Sequence, residues 1–172
     1  MRVVRYAAGE WGVGELWLDG DIPVWHELPS PEQAHPPKGA ARPPAVTLAK
    51  LGARSWDDSV PEVMWRIRRY FAGEAVSFAD IALDLEGTTP FQKAVAGALQ
   101  AIGYGETVTY GELAALAGHP NAQRAAGTFC AHNRLPLILP CHRVVAAGGI
   151  GSYGSLGAQY KRRLLELERA VL

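Results

Sequence analysis

The residues of this chain best suited to carry out a reaction are an adjacent cysteine and histidine, Cys141 and His142, within residues 140–144 (PCHRV). A cysteine is nucleophilic only as its thiolate, and a neighbouring imidazole is a base that can generate that thiolate. A buried structural cysteine beside an incidental histidine fits the same pair. The pair alone leaves both interpretations open, so the rest of the chain has to decide between them.

Composition indicates a globular protein with an uneven charge distribution. The 172 residues are 48% apolar and 20% charged, and they suffice for one domain or two small ones. Net charge is zero, but residues 1–89 carry 9 basic and 13 acidic residues, whereas residues 90–172 carry 8 and 4. A polyanion therefore favours the second half, although chance unevenness gives the same counts.

Cysteine usage and hydropathy predict a cytoplasmic protein without a membrane segment. Two cysteines, Cys130 and Cys141, cannot build a disulfide framework. No apolar run has the length of a membrane span or of a secretory signal. A free thiol stays reactive in a reducing cytoplasm, so this compartment is the expected one.

The first half of the chain predicts strands and one helix. Alternation in residues 14–18 and 24–26, with a turn signal at 19–21, indicates a hairpin. Residues 29–44 hold six of the twelve prolines and predict an irregular loop. Apolar spacing predicts a helix over 60–71, and residues 76–78 and 81–85 read as extended. The sequence GTTP at 87–90 predicts a boundary between domains at 1–86 and 87–172.

The second half predicts a mainly helical domain. Expected helices cover 91–102, a capping-box helix from Thr109 through Leu116, 122–132 after a turn with an N-cap candidate at 118–121, and 161–172. A glycine-rich loop occupies 148–154. Two short helices joined by a glycine-containing turn are typical of a helix-turn-helix, which also occurs in purely structural roles.

The second helix of that pair is unusual, because residues 124–128 (RAAGT) combine small side chains with one long cation. Glycine inside a helix costs about 1 kcal/mol relative to alanine, so a close approach to another surface has to compensate. That surface is either a DNA groove, with Arg124 reaching into the base stack, or a neighbouring helix. Both interpretations stay open at this point.

Together these residues resemble the O6-alkylguanine-DNA alkyltransferases, also called methylated-DNA–protein-cysteine methyltransferases. The similarity runs from about Phe91 to Glu168. The residues that carry it are Phe91-Gln92, Gly105-Glu106-Thr107, Tyr110 to Ala114, Arg124-Ala125, Asn133, Pro140 to Val145, Gly151, Tyr153, Lys161, Leu164-Leu165 and Glu168. The resemblance implies an α/β, ribonuclease-H-like domain over 1–86 and a mainly α, winged helix-turn-helix domain over 87–172.

The resemblance also implies a reaction. The expected partner is double-stranded DNA carrying O6-alkylguanine, with O4-alkylthymine as a further substrate, and the damaged nucleotide is flipped out of the stack. Cys141 attacks the alkyl carbon, His142 takes the thiol proton through a water, and Glu168 orients His142. Because the thioether product is stable, each molecule reacts once. A monomer without a cofactor is expected.

Further residue roles follow from the same resemblance. Tyr110 donates to the leaving guanine, Asn133 is a hinge residue, and Lys161 contacts the active-site loop. The second helix lies in the minor groove, where Arg124 fills the vacated place in the duplex. The expected DNA-binding residues are Tyr110, Arg124, Ala125, Ala126, Gly127 and Thr128, and the expected pocket residues are Pro136, Gly151, Ser152 and Tyr153.

The chain departs from the family pattern at three places. Arg134 replaces a proline after Asn133, which loosens the hinge or adds a phosphate contact. Gly103 replaces a proline before Tyr104, and the loop at 154–157 is one residue longer. No metal site is expected, because residues 1–129 contain no cysteine and the histidines show no ligand spacing around Cys141.

Three other classes of protein fit the sequence less well. A non-catalytic lesion-binding relative lacks the nucleophile that Cys141 supplies. A helix-turn-helix regulator needs neither the Cys-His pair nor Glu168, and it usually has a more polar recognition helix. A cysteine hydrolase with a Cys-His-Glu site has no reason for the spacing of Tyr110 and Arg124.

Overall fold

The structure is a computed structural model that describes residues 1–31, 45–47 and 61–171. Its residues form two compact units. Unit 1 comprises Met1–Val76 and Ile81–Asp84, and unit 2 comprises Ser77–Asp80 and Leu85–Leu172. The chain therefore alternates between the units over 76–85, a stretch in which no strand forms although residues 76–78 and 81–85 read as extended.

Among the described residues, unit 1 is a four-stranded sheet with one α-helix. Strands β1 (Arg2–Ala7), β2 (Val13–Asp19) and β3 (Ile22–Ser30) are antiparallel, and β4 (Ala45–Thr47) pairs in parallel with β1, giving the order β3-β2-β1-β4. The predicted hairpin is confirmed as the β2–β3 pair. Helix α1 (Glu62–Phe71) begins after Pro61, and its predicted first residue, 60, lies outside the described residues.

The core of unit 1 includes a contact between this sheet and helix α1. Tyr6 of β1 stacks near Phe71 of α1 with ring centroids 6.2 Å apart. The Tyr6 hydroxyl hydrogen-bonds to the buried His26 ring at 2.7 Å, which satisfies both polar groups inside the core. Gly14 is required beside Tyr6, because a Cβ there would overlap the tyrosine ring.

The prediction of an irregular loop over 29–44 is wrong for its first two residues. Pro29 and Ser30 belong to β3, and Ser30 pairs with Val13 of β2. An edge strand tolerates proline, because the missing N–H faces away from the ladder. Among the strands that the structure describes, β3 has β2 as its only neighbour, which explains why proline did not end it. Residues 32–44 of this prediction lie outside the described residues.

Unit 2 is built from four helices and a short parallel strand pair. Helix α2 (Pro90–Gln100) is followed by β5 (Val108–Thr109), α3 (Tyr110–Leu116), α4 (Gln123–Ala131), β6 (Val144–Val145) and α5 (Gly157–Leu167). Strands β5 and β6 pair in parallel. No helix in the described part of the chain is long and apolar enough to span a membrane.

Local capping signals in the sequence mark the starts of α2 and α3. Thr109 caps α3 by accepting from the Glu112 backbone N–H, and Glu112 accepts from the Thr109 backbone, so the predicted capping box is confirmed. The same reciprocal pair, Thr89 and Gln92, caps α2, with Pro90 at its first position.

Two predicted helix boundaries are wrong. The turn at 118–121 supplies no side-chain cap for α4, because Asn121 has a left-handed backbone (φ 71°) and Ala122 occupies the cap position. The last helix covers 157–167 rather than 161–172. Arg169 is left-handed (φ 56°), and the Ala170 N–H bonds back to Leu165, which ends the helix early.

Candidate active site

The Cys141 thiol lies buried at the start of a 3₁₀ turn, Cys141–Arg143, just before β6. The Asn133 side-chain amide donates to Cys141 Sγ at 3.0 Å and to the Leu139 carbonyl at 2.8 Å. Asn133 Oδ1 in turn accepts from the Leu135 backbone N–H at 2.9 Å. One asparagine therefore holds the sulfur and both ends of the turn that precedes it.

The turn under the sulfur carries backbone strain. Leu137 is fully buried and has a left-handed backbone (φ 78°), which costs a branched residue about 1–3 kcal/mol. Pro136, an expected pocket residue, lies in this turn and is half-buried, with a β-bridge to Leu139. Strain of this kind persists only where the surroundings over-determine the conformation, as the Asn133 hydrogen bonds do here.

His142, the residue after Cys141, forms a buried hydrogen-bonded pair with Glu168. His142 Nε2 lies 2.7 Å from Glu168 Oε1, and both side chains are fully inaccessible to solvent. An ionised carboxylate only accepts, so the imidazole proton lies on Nε2 and Nδ1 carries the lone pair. The histidine is thus fixed in the tautomer in which Nδ1 can accept a proton.

Arg143 completes this cluster, although no role was predicted for it from the sequence. Its Nε donates to Glu168 Oε2 at 2.9 Å, its Nη2 donates to Oε1 at 3.0 Å, and its Nη1 donates to the Ile102 carbonyl at 2.6 Å. The Gly105 backbone N–H also donates to Glu168 Oε2 at 2.9 Å. The only sequence signal was a cation next to His142, and the chain gives no clue that it faces Glu168.

These contacts fix the protonation states of the cluster. Burial raises the pKa of Glu168, but hydrogen bonds and charges from His142 and Arg143 outweigh it and hold that pKa well below the usual range. Burial lowers the pKa of His142, against the opposing pull of Glu168. Near neutral pH the cluster is therefore a carboxylate beside a neutral imidazole, the state in which the imidazole acts as a base.

The thiol itself needs such a base. Burial raises the pKa of Cys141, and the Asn133 hydrogen bond and the Lys161 charge only partly offset that rise. The other cysteine, Cys130 in α4, has its pKa raised to about 12, mainly by burial. Both resting thiols are protonated, but only Cys141 has a histidine at the next position of the chain.

Lys161 lies on α5 and is completely buried. Its Nζ donates to the Val144 carbonyl at 2.6 Å and to the Ser152 carbonyl at 3.3 Å. Gly151 is left-handed (φ 75°), and a Cβ there would lie 3.7 Å from the same Nζ. The lysine thus joins β6 to the loop that contains the expected pocket residues Gly151, Ser152 and Tyr153.

Tyr110 connects this cluster to the helix pair α3–α4. It is the first residue of α3, Lys161 Nζ lies 6.0 Å from its ring centroid, and a Cβ at Gly127 of α4 would lie 3.7 Å from its ring. Burial, with the nearby Cys130 and Cys141, raises the pKa of Tyr110, so its hydroxyl remains a proton donor.

Helix α4 exposes most of the residues expected to bind DNA. Arg124, Ala125 and Thr128 are exposed, and the Thr128 hydroxyl donates to the Arg124 carbonyl at 3.0 Å. Ala126 is buried and cannot contact a ligand in this conformation. Since 3.7 Å is an ordinary contact distance, packing against Tyr110 does not by itself require glycine at position 127. An exposed face of small residues therefore remains to be explained.

Unit 2 thus combines a buried cysteine and a histidine–carboxylate pair with a helix pair that exposes small residues and an arginine. In the described residues no group of three side chains is suited to hold a metal ion.

Comparison with known proteins identifies the family. Residues 90–170 match the model of the 6-O-methylguanine DNA methyltransferase DNA-binding domain. A methylated-DNA–protein-cysteine methyltransferase of Mycolicibacterium paratuberculosis is 38% identical over 97% of this chain and 93% of its own length. One from Methanosarcina acetivorans is 48% identical over 62% of this chain and 67% of its own length. The chain belongs to the methylated-DNA–protein-cysteine methyltransferase family.

Solved structures agree with this assignment. The Mycobacterium tuberculosis OGT in complex with DNA has a TM-score of 0.72 and 35% identity, over 98% of this chain and 93% of that one. The O6-methylguanine-DNA methyltransferase of Pyrococcus kodakaraensis has a TM-score of 0.65 and 25% identity, over 96% and 98%. The chain therefore has the alkyltransferase fold, of mixed α/β content.

Proposed function

We propose that this protein repairs DNA by moving the alkyl group of O6-alkylguanine, and of O4-alkylthymine, from double-stranded DNA to Cys141. The observation that carries the proposal is the hydrogen-bonded cluster around the thiol: Asn133 on the sulfur, and Glu168 on the histidine next to it. Family membership supplies the substrate class, and the exposed face of α4 supplies a surface for the duplex.

In the proposed reaction the thiol proton passes through a water to His142, whose cationic form Glu168 stabilises. The sulfur forms a bond to the alkyl carbon as the bond from that carbon to guanine O6 breaks. Tyr110 donates a hydrogen bond to the departing base, where negative charge develops. The thioether has no route back to a thiol, so each molecule reacts once, as a monomer in the cytoplasm and without a cofactor.

We further infer a ribonuclease-H-like domain over 1–86 and a winged helix-turn-helix domain over 87–172. Three antiparallel strands with a parallel fourth strand beside the first support the former assignment. The helix pair α3–α4, with the β5–β6 strand pair, supports the latter. In this proposal α4 enters the minor groove, and Pro136, Gly151, Ser152 and Tyr153 surround the flipped base.

Mass spectrometry of the intact protein after incubation with duplex DNA containing O6-methylguanine tests the reaction. We expect a gain of one methyl group, located on the peptide that contains Cys141. Cys130→Ser is the matched control and should gain the methyl group as the unmodified chain does. No gain on Cys141, or an equal gain in Cys141→Ala, would disprove the proposal.

The role of Arg124 in base extrusion makes a separate prediction. This side chain is exposed on α4, away from the buried cluster. Arg124→Ala should slow the repair of duplex DNA by about 5- to 150-fold, on the order of 1–3 kcal/mol for a stacking contact, and leave the reaction with free O6-benzylguanine nearly unchanged. Single-turnover rates on both substrates measure this difference, and equal losses on the two would contradict it.

A further inference from the structure

Two tyrosines face each other across the loop that precedes α5. The rings of Tyr153 and Tyr160 are nearly parallel, with an interplanar angle of 16° and centroids 6.3 Å apart. This lies within the range of offset-stacked aromatic pairs. The chain between them forms a 3₁₀ turn, Gly154–Leu156, closed by a hydrogen bond of 2.9 Å from the Gly157 N–H to the Tyr153 carbonyl.

Lys161, the next residue in the chain, holds Tyr160 in position. Tyr160 directly precedes Lys161, whose Nζ bonds the Ser152 carbonyl, and Ser152 directly precedes Tyr153. Lys161 also bonds the Val144 carbonyl beside the active-site turn. Three contacts thus hold Tyr153 and its neighbours against α5. They are the stack on the Tyr160 ring, the hydrogen bond from the Gly157 N–H, and the bond from Lys161 to the preceding carbonyl. Gly154 and Gly157 are left-handed (φ 45° and 77°), which permits this compact return of the chain.

Tyr153 borders the nucleophile. Its side chain is 9% exposed, and it is one of the groups that lower the pKa of the Cys141 thiol. The place of the Tyr153 ring therefore helps set how much room an alkyl group has beside Cys141 Sγ. Tyr160 stacks against that ring, and burial raises the pKa of its own hydroxyl, so it remains a neutral aromatic neighbour of Tyr153.

We propose that Tyr160 is a specificity-determining positioning residue: by stacking against the Tyr153 ring, it holds that ring in place and limits the size of the alkyl group that Cys141 accepts. This inference rests on the proposed function. With the support in place the ring cannot swing away from the sulfur, so small groups fit and bulky ones meet the ring. The residue acts through Tyr153 and does not touch the substrate.

Single-turnover alkylation of Cys141 by O6-methylguanine and by O6-benzylguanine, each in the same duplex, tests the proposal. Tyr160→Ala should raise the ratio of the benzyl rate to the methyl rate by about fivefold, the effect of losing one aromatic pair. Tyr160→Phe keeps the ring and should keep the ratio. Gln159→Ala, at the exposed neighbouring position of α5, is the matched control and should leave the ratio unchanged.

An unchanged ratio in Tyr160→Ala, or equal loss of both rates, would overturn the proposal, as would a Tyr160→Phe variant that shifts the ratio as far as Tyr160→Ala. Tyr160→Leu keeps an apolar side chain there and provides a second folded variant, with the same expected rise. If the unmodified protein reacts with neither substrate, the proposed function fails instead, so the two failures are distinguishable.

Discussion

Glu168 shows how much of this site depends on a single carboxylate. His142, Arg143 and the Gly105 backbone N–H all donate to it; the first two belong to the 3₁₀ turn at Cys141–Arg143, and Gly105 follows α2. A buried ion pair is held only when its hydrogen bonds are satisfied, because both charges have left water. Glu168 therefore orients the histidine and at the same time neutralises a buried arginine.

Removing the Glu168 charge should harm both stability and reactivity. In Glu168→Gln the Arg143 cation stays buried without a counter-ion, so we expect a loss of about 3–5 kcal/mol in the free energy of unfolding. Alkylation of Cys141 should slow by more than a hundredfold, because the histidine tautomer is no longer held. Urea denaturation and single-turnover kinetics measure the two effects. Glu166→Gln, at an exposed position near the end of α5, should change neither.

The same carboxylate gives a pH dependence of stability. Its folded-state pKa is lowered from the ordinary value of 4.5, so its contribution is complete above that value and is lost as the pH falls below it. The unmodified protein should lose stability between pH 5 and pH 3 more steeply than Glu168→Gln. If the melting temperatures of the two proteins fall equally with decreasing pH, the ion pair is not the source of this pH dependence.

At the scale of elements, α4 has small residues where the fold alone does not demand them. A methyl group at Gly127 would make only ordinary contact with the Tyr110 ring, and Ala125 is exposed. A helix gains stability from alanine in place of glycine. Glycine at this position is therefore explained best by the close approach of another molecule.

Gly127→Ala should separate folding from DNA repair. We expect the free energy of unfolding to rise by about 0.5–1 kcal/mol, while the rate of alkylation by duplex DNA falls, since the added methyl group meets the groove. Gly97→Ala is the matched control, because Gly97 is an exposed position inside α2 with open space around it. It should stabilise the protein equally and leave repair unchanged. A repair rate in Gly127→Ala equal to that of Gly97→Ala would refute the DNA-facing role of α4.

For the whole molecule, the charge distribution directs a polyanion to the second half of the chain. Residues 90–172 hold 8 basic and 4 acidic residues. Three of those carboxylates are already engaged: Glu106 accepts from the Gly103 backbone, Glu112 caps a helix, and Glu168 lies in the buried cluster. Arg124 and Arg134 are exposed and make no ion pair with any described residue, so their charges are available to phosphates.

A substitution of Arg134 distinguishes the two explanations for this residue after Asn133, a phosphate contact and a loosened hinge. If it contacts a phosphate, Arg134→Ala should reduce the slope of log affinity against log salt by about 0.9. Fluorescence anisotropy with a labelled duplex between low and moderate salt measures that slope. A changed alkylation rate with an unaltered slope would instead place its effect on the Asn133 hinge.

The sequence by itself determined the local features. The capping boxes at Thr89–Gln92 and Thr109–Glu112 form from residues three apart, so they could be predicted without knowing the fold. The Cys141-His142 pair is also local, and its spacing from Tyr110, Arg124 and Asn133 carried the family resemblance. Such features need only neighbours in the chain, and the chain specifies neighbours directly.

The tertiary structure decided everything that depends on distant partners. Arg143 acquires its role from Glu168, 25 residues later, and from the Ile102 carbonyl, 41 residues earlier. The early end of α5 and the continuation of β3 through Pro29 depend likewise on what surrounds those residues. A buried charge is stable only with a partner in space, and the sequence lists residues without saying which of them meet. The Cys141-His142 pair indicated a nucleophile and a base, and only the fold placed Asn133, Glu168 and Arg143 around them.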